Sequence, residues 1–410
     1  MIKRTIKNSI INSVKNKPIT LITGARQVGK STLCYEIAKE YGYNYVTLDD
    51  LRERKNATED PEMFLQMHPS PLIIDEAQYA PQLFPVLEYI VNKAKLEEGK
   101  NAGMFILTGS EAFDLMQNVT ESMAGRISII RMAPLSVSEI NNVTEKPFEV
   151  DITKISNRIK DYNINVAQLY ENITKGFYPE LYSNPYLNSS KLYSDYVNTY
   201  INRDISKIIN IKDKLKFQNF MEILASLTAE ELIYNNLAKQ VGVSLGTIQS
   251  WISALVSCEI IYLLQPYNEA SLVKRVVKIP KIYFQDTGLA CYLAKLSDPL
   301  NLKASYFAGK FVETYIINEI RKSYNNNDEN VGLYYYRDSN QNEIDLIILK
   351  DGVITMIECK SGVSFNKADV KAFNILKNTK YKLGMSCIIC NTDVIYRIKE
   401  NVVALPISSI

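Results

Sequence analysis

The sequence predicts an α/β fold built on a parallel sheet, and three observations lead to this class. Over residues 1–140, short apolar runs alternate with helical stretches, as is typical of parallel sheets. Residues 141–300 have mostly helical periodicity, and residues 301–410 return to a mixture of β-rich and helical segments. The chain of 410 residues is long enough for two or three domains at roughly 150 residues each. We therefore expect one domain over each segment.

Composition and charge exclude several classes of protein. Hydrophobic residues make up 46% of the chain and charged residues 22%, values that are ordinary for a folded globular protein. No apolar run approaches the ~18 residues of a membrane helix, and the amphipathic N-terminus lacks the apolar core of a signal peptide. We therefore expect a cytoplasmic protein without a membrane partner. The net charge of +2 does not indicate a nucleic-acid partner, so such a contact would need a local basic patch.

The cysteines and the single histidine limit the available chemistry. Most cysteines fall within apolar stretches, which favours buried, reduced thiols. They are Cys34, Cys258, Cys291, Cys359, Cys387 and Cys390. The last two form one CxxC motif, but no second pair completes a zinc site. Because His68 is the only histidine, a histidine-based triad or a multi-histidine metal site is excluded.

Apolar runs predict the strands of the first segment, and helices fill the intervals. The expected strands are Ile19–Thr23, Tyr43–Leu48, Leu72–Asp75, Met104–Thr108 and Ile127–Arg131. The clearest helices are Gly29–Tyr41 and Leu83–Lys95. Strands that alternate with helices in this way predict parallel pairing.

A phosphate-binding loop follows the first predicted strand. Residues 24–31 read GARQVGKS and fit the GxxxxGK[ST] pattern at every constrained position. Glycines allow successive N–H groups to point inward, and the next helix presents the positive end of its dipole to an anion. We expect Lys30 to contact the β- and γ-phosphates and Ser31 to ligate Mg²⁺. The expected nucleotide contacts are Gly24, Ala25, Arg26, Gln27, Val28, Gly29, Lys30, Ser31 and Thr32.

Two acidic residues at the end of the third predicted strand indicate hydrolysis as well as binding. Asp75 ends the buried run that begins at Leu72, and one helix and one strand separate this run from the loop. We expect Asp75 to hold Mg²⁺ and Glu76 to orient and activate the attacking water.

Three further polar residues are candidates for the same site. Thr108 and Ser110 follow the fourth predicted strand, where a hydroxyl group could sense the γ-phosphate; a solvated strand end is the alternative. Arg126 precedes the fifth strand and could stabilise charge on the transferring phosphoryl group, from its own subunit or a neighbouring one. A surface arginine without a catalytic role is the other interpretation.

These motifs resemble those of the AAA-type P-loop ATPases of bacteria and archaea, in particular a prokaryotic group with a long C-terminal domain of uncharacterised function. Further likeness lies in Ala124–Arg126, Tyr200–Ile205 and Phe284–Leu289. The resemblance implies an ATPase that uses ATP with Mg²⁺. The strand-end residue is often Asn in AAA proteins, whereas here Thr108 and Ser110 share that position.

The middle segment predicts a helix, a tight turn and a second helix, with Gly242 at the bend and Ser244 as N-cap. The apolar run Ile260–Leu264 could begin a β-wing, which favours a winged helix. The second helix, Leu245–Cys258, contains no Lys or Arg, and this argues against strong DNA reading. Basic residues after the wing either contact a nucleic-acid backbone or form a solvated face. They are Lys274, Arg275, Lys278 and Lys281. Protein docking or an intramolecular role is the other interpretation of this segment.

The last segment predicts a hairpin that carries two carboxylates and an amine. Lys350–Gly352 forms the turn between two apolar strands. Alternation puts Glu358 and Lys360 on one face, and the fold-back brings Asp345 opposite Glu358. Such a group can hold Mg²⁺ and activate water for phosphodiester cleavage.

Asp345, Glu358 and Lys360 resemble the PD-(D/E)xK nuclease constellation. Glu313, on the predicted helix Lys310–Lys322, could add a ligand. A nuclease-like fold that no longer cuts is the alternative. The Asn-rich run Tyr324–Asn330 predicts an exposed loop before the hairpin.

These motifs together predict Mg²⁺-dependent binding and hydrolysis of ATP coupled to a conformational change. In one hypothesis, turnover regulates nucleic-acid processing by residues 301–410. In the other, the chain is an ATP-gated protein-interaction switch whose nuclease-like part is an inactive scaffold. DNA, a protein partner and oligomerisation stay open at this point.

Overall fold

The computed structural model describes residues 2–109, 123, 125–205, 211, 213–268 and 279–410. The chain divides into two compact units. The first comprises residues 1–135, 257–259 and 325–328, and the second comprises residues 136–256, 260–324 and 329–410. The second unit contains both the middle and the C-terminal segments of the sequence.

The first unit is built on a five-stranded parallel sheet, which confirms the predicted fold class. Its strands are β1 (Ile19–Thr23), β2 (Asn44–Thr47), β3 (Leu72–Asp75), β4 (Phe105–Thr108) and β5 (Ile127–Arg131). They lie in the order β2-β3-β4-β1-β5, and every neighbouring pair is parallel. All residues of the three central strands are buried, so these strands are continuous apolar runs rather than alternating ones.

One helix precedes β1, and helices connect the strands from β1 to β4. Among the described residues of this unit the α-helices are α1 (Ile6–Asn16), α2 (Lys30–Tyr41), α3 (Leu51–Glu59), α4 (Pro61–Met67) and α5 (Leu83–Glu98). Aspartates cap two of them: the Asp50 side chain accepts from the N–H of Arg52, and Asp60 accepts from Met63. Such caps satisfy N–H groups that have no partner inside the helix. The predicted strands of this unit agree with the observed ones to within one residue at each end.

The second unit begins with a largely helical part. Its α-helices are α6 (Val137–Ile140), α7 (Ile152–Asp161), α8 (Val166–Lys175), α9 (Glu180–Ser183), α10 (Ser189–Tyr196), α11 (Lys214–Ser226), α12 (Tyr234–Val241), α13 (Leu245–Ser257), α14 (Thr287–Leu293), α15 (Pro299–Ala304) and α16 (Ala308–Asn326). Residues Val197–Ile205 form a π-helix directly after α10.

The predicted helix–turn–helix is formed by α12 and α13. The Ser244 hydroxyl accepts from the backbone N–H of Thr247 at 3.1 Å, which confirms its role as N-cap. A small antiparallel sheet accompanies this pair, with strands β6 (Glu230–Glu231), β7 (Ile261–Leu264) and β8 (Lys281–Phe284) in the order β6-β8-β7. Three of the basic residues predicted to follow the wing, Lys274, Arg275 and Lys278, lie outside the described residues.

A larger mixed sheet follows. Its strands are β9 (Gly332–Arg337), β10 (Glu343–Lys350), β11 (Val353–Cys359), β12 (Lys382–Leu383), β13 (Ser386–Cys390), β14 (Tyr396–Lys399) and β15 (Val402–Pro406). The order is β14-β15-β13-β11-β10-β9, with β12 on β11. The predicted hairpin is β10–β11, and Lys350 pairs with Val353 across the turn. Asp351 and the glycine after it have φ of 49° and 76°. Positive φ at both central residues is what a two-residue turn needs in order to match the twist of the two strands.

The prediction of an exposed loop over Tyr324–Asn330 is wrong for its first three residues, because α16 continues to Asn326. Tyr324 is buried, and its hydroxyl donates to the carbonyl of Phe148. Asparagine disfavours a helix interior only weakly, so tertiary burial of the last turn overrides the local preference.

Asp286 ties several elements of the second unit together. Its buried carboxylate caps α14 by accepting from the N–H of Leu289 at 2.8 Å. It also accepts from the N–H of Phe177 at 2.6 Å and from the Tyr193 hydroxyl at 2.8 Å. Burial raises the pKa of Asp286, although these hydrogen bonds lower it in part.

Replacement of Asp286 by alanine is expected to reduce the free energy of unfolding by about 3–5 kcal/mol, because two buried N–H groups lose their acceptor. The matched control is Asp298→Ala. Asp298 caps α15 through the N–H of Asn301 but is exposed, so its loss costs about 1 kcal/mol. Urea unfolding followed by circular dichroism measures both, and equal losses would contradict the role of the buried carboxylate.

Candidate functional site

Strand register brings the predicted site residues of the first unit to one edge of the sheet. Ile22 of β1 pairs with Thr108 of β4, and Ile74 of β3 pairs with Leu107. The loop after β1, Asp75 at the end of β3 and Thr108 at the end of β4 therefore meet. In open parallel sheets, ligands bind outside these carboxyl ends.

The glycines of the loop meet two different requirements. A Cβ atom at Gly24 would lie 2.3 Å from the carbonyl oxygen of Met132, so no other residue fits there. Gly29 has φ of 95°, a left-handed conformation that glycine adopts without strain, and α2 begins at the next residue. The first glycine of the pattern, Gly24, is thus required by the close approach of the Met132 backbone. The second, Gly29, is favoured by its left-handed backbone conformation.

The Lys30 side chain folds back over the loop. Its Nζ donates to the carbonyl oxygens of Gly24 and Ala25, each at 2.9 Å. Burial lowers the pKa of Lys30, and the negative charges of Glu76 and Asp75 offset part of that effect. The ammonium group is therefore held by neutral acceptors, which an anion could replace.

Asp75 is the centre of a buried polar cluster. Its Oδ1 accepts from the Ser31 hydroxyl at 3.1 Å and also from the hydroxyl of Thr108. Its Oδ2 accepts from the Tyr45 hydroxyl at 2.9 Å. Hydroxyl and carboxylate oxygens are the ligands that Mg²⁺ prefers, so the adjacent Ser31 and Asp75 fit this ion.

Glu76 has an unusual backbone and a defined partner. Its φ is 57°, in the left-handed region, and its N–H donates to Thr108 Oγ1 at 3.2 Å. The side-chain amide of Gln78 donates to Glu76 Oε2 at 2.5 Å. Glu76 therefore stands next to Asp75 with one carboxylate oxygen bound by a neighbouring side chain.

The two remaining candidates of the first unit have different outcomes. Ser110 lies outside the described residues. Arg126 precedes Ile127, which pairs with Ile19 at the start of β1, so Arg126 is at the edge opposite the loop. The edges are about 15 Å apart, since each residue of a parallel strand advances about 3.3 Å. Arg126 instead contacts Glu88 at 3.1 Å and Asn92 at 2.7 Å, so it does not reach the loop of its own chain.

Three residues outside the predicted set also support this site. Tyr45 donates to the carboxylate of Asp75, and Gln78 donates to that of Glu76. Arg4 is 7% exposed and donates to the carbonyl oxygens of Val28 and Ala133, each at 2.7 Å. No sequence signal identifies Arg4, because its partners lie far along the chain.

The second unit contains the other predicted cluster. Asp345 Oδ2 accepts from the backbone N–H of Cys359 at 2.7 Å, and Lys360 Nζ lies 2.6 Å from Glu358 Oε1. Leu346 pairs with Ile357, so Asp345 and Glu358 are opposite each other, as the hairpin predicts. Burial and the charge of Asp345 together raise the pKa of Glu358 to about 8, against a partial lowering by Lys360.

Glu313 joins this cluster from α16. Lys281, which the sequence analysis grouped with the basic residues after the wing, joins it as well. Lys281 Nζ lies 2.9 Å from Glu313 Oε1 and 2.5 Å from Glu343 Oε1. Lys281 therefore neither contacts a nucleic acid nor lies on a solvated face, the two interpretations of the sequence, because this lysine is buried and paired. The pKa of Glu313 is raised to about 7, mainly by burial, which outweighs the lowering by Lys281.

The carboxylate cluster does not fit a divalent cation as it stands. Within the described ranges, no group of three or more His, Cys, Asp or Glu side chains is arranged to hold a metal ion. An ammonium group occupies the position between Glu313 and Glu343 that a cation would take. The predicted residues Glu313, Asp345, Glu358 and Lys360 thus lie in one cluster. This cluster also contains the positive charge of Lys281, which the sequence did not predict there.

Comparison with known families divides the chain into three stretches. Residues 16–141 match a family model described as an AAA domain. Residues 166–300 and 308–410 match two domains of unknown function, DUF8612 and DUF4143. Together with the loop and the acidic residues described above, the first match supports an AAA-type P-loop ATPase domain over residues 16–141.

Relatives extend over most of the chain. An uncharacterized protein of Mycobacterium tuberculosis and one of Mycobacterium bovis are each 25% identical over 337 residues, which covers 82% of this chain and 68% of the relative. Among solved structures, the Walker-type ATPase paby2304 of Pyrococcus abyssi is similar with 15% identity and a TM-score of 0.42, covering 72% of this chain and 96% of that one. The RuvB Holliday junction branch migration motor of Thermotoga maritima has 16% identity and a TM-score of 0.31, covering 63% and 88%. Of the helices that the structure describes, none combines the length and apolar character that crossing a membrane requires.

Proposed function

We propose that the chain binds ATP with Mg²⁺, hydrolyses it and uses the turnover to drive a conformational switch. The convergence of Lys30, Ser31, Asp75 and Glu76 at one edge of the parallel sheet is the observation that carries this proposal. It joins a cradle for phosphate to two carboxylates, which is the set of groups that phosphoryl transfer to water requires.

Nucleotide binding follows from the loop. The backbone N–H groups over residues 24–32 would receive the phosphates, and Lys30 would exchange its carbonyl partners for phosphate oxygens. Ser31 and Asp75 would hold Mg²⁺, which neutralises phosphate charge when bound. Arg4 would keep the loop in shape through its bond to Val28.

Hydrolysis is assigned to Glu76. Its carboxylate would accept a hydrogen bond from the attacking water and orient it toward the γ-phosphate, while Gln78 fixes the carboxylate in turn. Thr108 and Ser110 are proposed to contact the γ-phosphate. Because Arg126 stands at the opposite edge of the sheet, its proposed catalytic contact is with the nucleotide of a neighbouring subunit, which implies an oligomer.

The output of the switch has two candidates. Regulation of nucleic-acid processing is supported by the meeting of Asp345, Glu358, Glu313 and Lys360. An ATP-gated protein-interaction switch with an inactive scaffold is supported by the lysine within that cluster and by α13, which has no Lys or Arg to contact DNA.

Replacement of Lys30 by alanine is expected to weaken ATP binding by about 10²–10³-fold, since each charge-assisted hydrogen bond contributes about 1.5–3 kcal/mol. A fluorescent ATP analogue titrated with Mg²⁺ present measures the affinity. Lys39→Ala is the matched control, because Lys39 is exposed on the same helix and contacts only the ring of Tyr35 among the interactions described. Equal affinities of the Lys30 variant and wild type would overturn the proposal.

Replacement of Glu76 by glutamine is expected to slow phosphate release by about 10²–10⁴-fold, because the amide cannot act as a base. ATP affinity should stay within about threefold of wild type, since Glu76 is not assigned to nucleotide binding. Phosphate release and analogue titration are measured on the same preparation. Glu97→Gln, at an exposed position of α5, is the control, and an unchanged rate in the Glu76 variant would remove Glu76 from hydrolysis.

A plasmid nicking assay separates the two outputs. If the C-terminal residues process nucleic acid, wild-type protein nicks DNA with Mg²⁺, and Asp345→Ala and Lys360→Ala abolish the activity, because each removes a charge from the centre. The scaffold candidate predicts the same trace for all three proteins, with and without ATP.

A further inference from the structure

Glu259, shortly after the end of α13, is an acidic residue at the point where the phosphate-binding loop begins. Its Oε1 accepts from the Thr23 hydroxyl at 3.3 Å, and Thr23 is the residue before Gly24. The same oxygen lies 4.0 Å from Nε of Arg131, which pairs with Thr23 across β1 and β5. The Glu259 side chain is only 13% exposed. A carboxylate that no sequence motif indicates therefore lies beside the proposed nucleotide site.

The way in which α13 ends holds Glu259 in this position. The N–H of Ile260 donates to the carbonyl oxygen of Leu255 at 3.0 Å, which is the closing bond of a Schellman motif. This motif places the residue before the N–H donor in the left-handed region, and Glu259 has φ of 54°. Glycine is the usual residue there, because a side chain strains this conformation. A glutamate at such a position indicates that its side chain has a role.

The charge of Glu259 acts on Lys30. Burial lowers the pKa of Lys30, and the negative charges of Glu76 and Glu259 are the two largest effects that oppose burial. A triphosphate bound by Lys30 would bring several negative charges into the same surroundings. Like charges repel strongly at short range in a partly desolvated site. The Glu259 carboxylate and the γ-phosphate therefore compete for one ammonium group.

We propose that Glu259 is a γ-phosphate sensor: its carboxylate binds Thr23 while the nucleotide site is empty, and ATP displaces it. This inference rests on the proposed function, because it requires ATP to bind at Lys30. Arg131 offers the displaced carboxylate a partner, since its side chain is 61% exposed and already at ion-pair distance. Residues 257–259 belong to the first unit, and the chain enters the second unit on both sides of them. Displacement of Glu259 is therefore passed along the backbone to α13 and β7.

The test compares Glu259→Gln with the wild type, using full-length protein and a fluorescent, non-hydrolysable ATP analogue with Mg²⁺. Glutamine keeps the size of the side chain and an acceptor oxygen but removes the negative charge. We expect the variant to bind the ATP analogue about tenfold more tightly, because the repulsion is relieved. The corresponding ADP analogue should gain less than about threefold, since it lacks the γ-phosphate.

Glu36→Gln is the matched control. It removes the same charge from a glutamate that lies farther along α2 and pairs with Lys7, so both affinities should stay as in wild type. The inference alone fails if Glu259→Gln binds the ATP analogue as the wild type does, or more weakly. Weaker binding would mean that Glu259 helps to hold the nucleotide. If neither protein binds the analogue, the proposed function fails and the inference falls with it.

Displacement itself is measured by amide hydrogen exchange of peptides that cover residues 255–264. In the wild type, the bound ATP analogue should speed exchange of the Ile260 N–H at least about threefold, because the end of α13 is loosened. In Glu259→Gln the analogue should leave this rate unchanged, since no charge drives the side chain away. An unchanged rate in the wild type with the analogue bound would show that Glu259 stays in place, and would overturn the inference.

A double-mutant cycle ties the effect to Thr23. Thr23→Val removes the hydroxyl that holds the carboxylate and keeps the shape of the side chain. We expect it to tighten binding of the ATP analogue in the wild type but to add nothing to Glu259→Gln, because both changes act on one contact. Full additivity of the two effects would contradict the proposed contact as the element that ATP breaks.

Discussion

The position of β4 between β1 and β3 is the constraint on which the first unit depends. The strand pairs with both neighbours, so its register alone decides whether Thr108, the loop and Asp75 end at the same level. A slip by one residue would turn Thr108 to the other face of the sheet. Asp75 would then lose one hydroxyl partner, and Glu76 would lose the acceptor for its N–H. The backbone pairing of β4 thus decides which side chains meet at the site.

Each unit contains a buried lysine, and the two lysines have different kinds of partner. Lys30 is held by neutral carbonyl oxygens, and these are partners that it can leave without exposing a bare charge. Lys281 is held by the carboxyl groups of Glu313 and Glu343, and separation would leave a buried ammonium without its acidic partners. The first arrangement suits a group that must meet an incoming anion. The second suits a group that fixes three elements against one another.

How far the sequence predicts this molecule depends on the range of each interaction. The loop, the acids after β3 and the β10–β11 hairpin are predictable because turn chemistry and strand alternation act over a few residues. The same alternation places Asp345 opposite Glu358. Tyr45, Arg4 and Lys281 are not predictable in this way, since their partners come from distant parts of the chain. Arg126 is a candidate for the site only because it directly precedes β5 in the sequence. Its place in the sequence does not show at which edge of the sheet it lies.

The bonds from Arg4 to Val28 and Ala133 give the segment before α1 a part in holding the loop. Two carbonyl groups accept hydrogen bonds from a guanidinium that precedes α1, and a hydrogen bond to a charged donor contributes about 1.5–3 kcal/mol. Loss of the Arg4 side chain would therefore relax the loop more than 20 positions away. Arg4 is accordingly a structural part of this loop, although it lies far from it in the sequence.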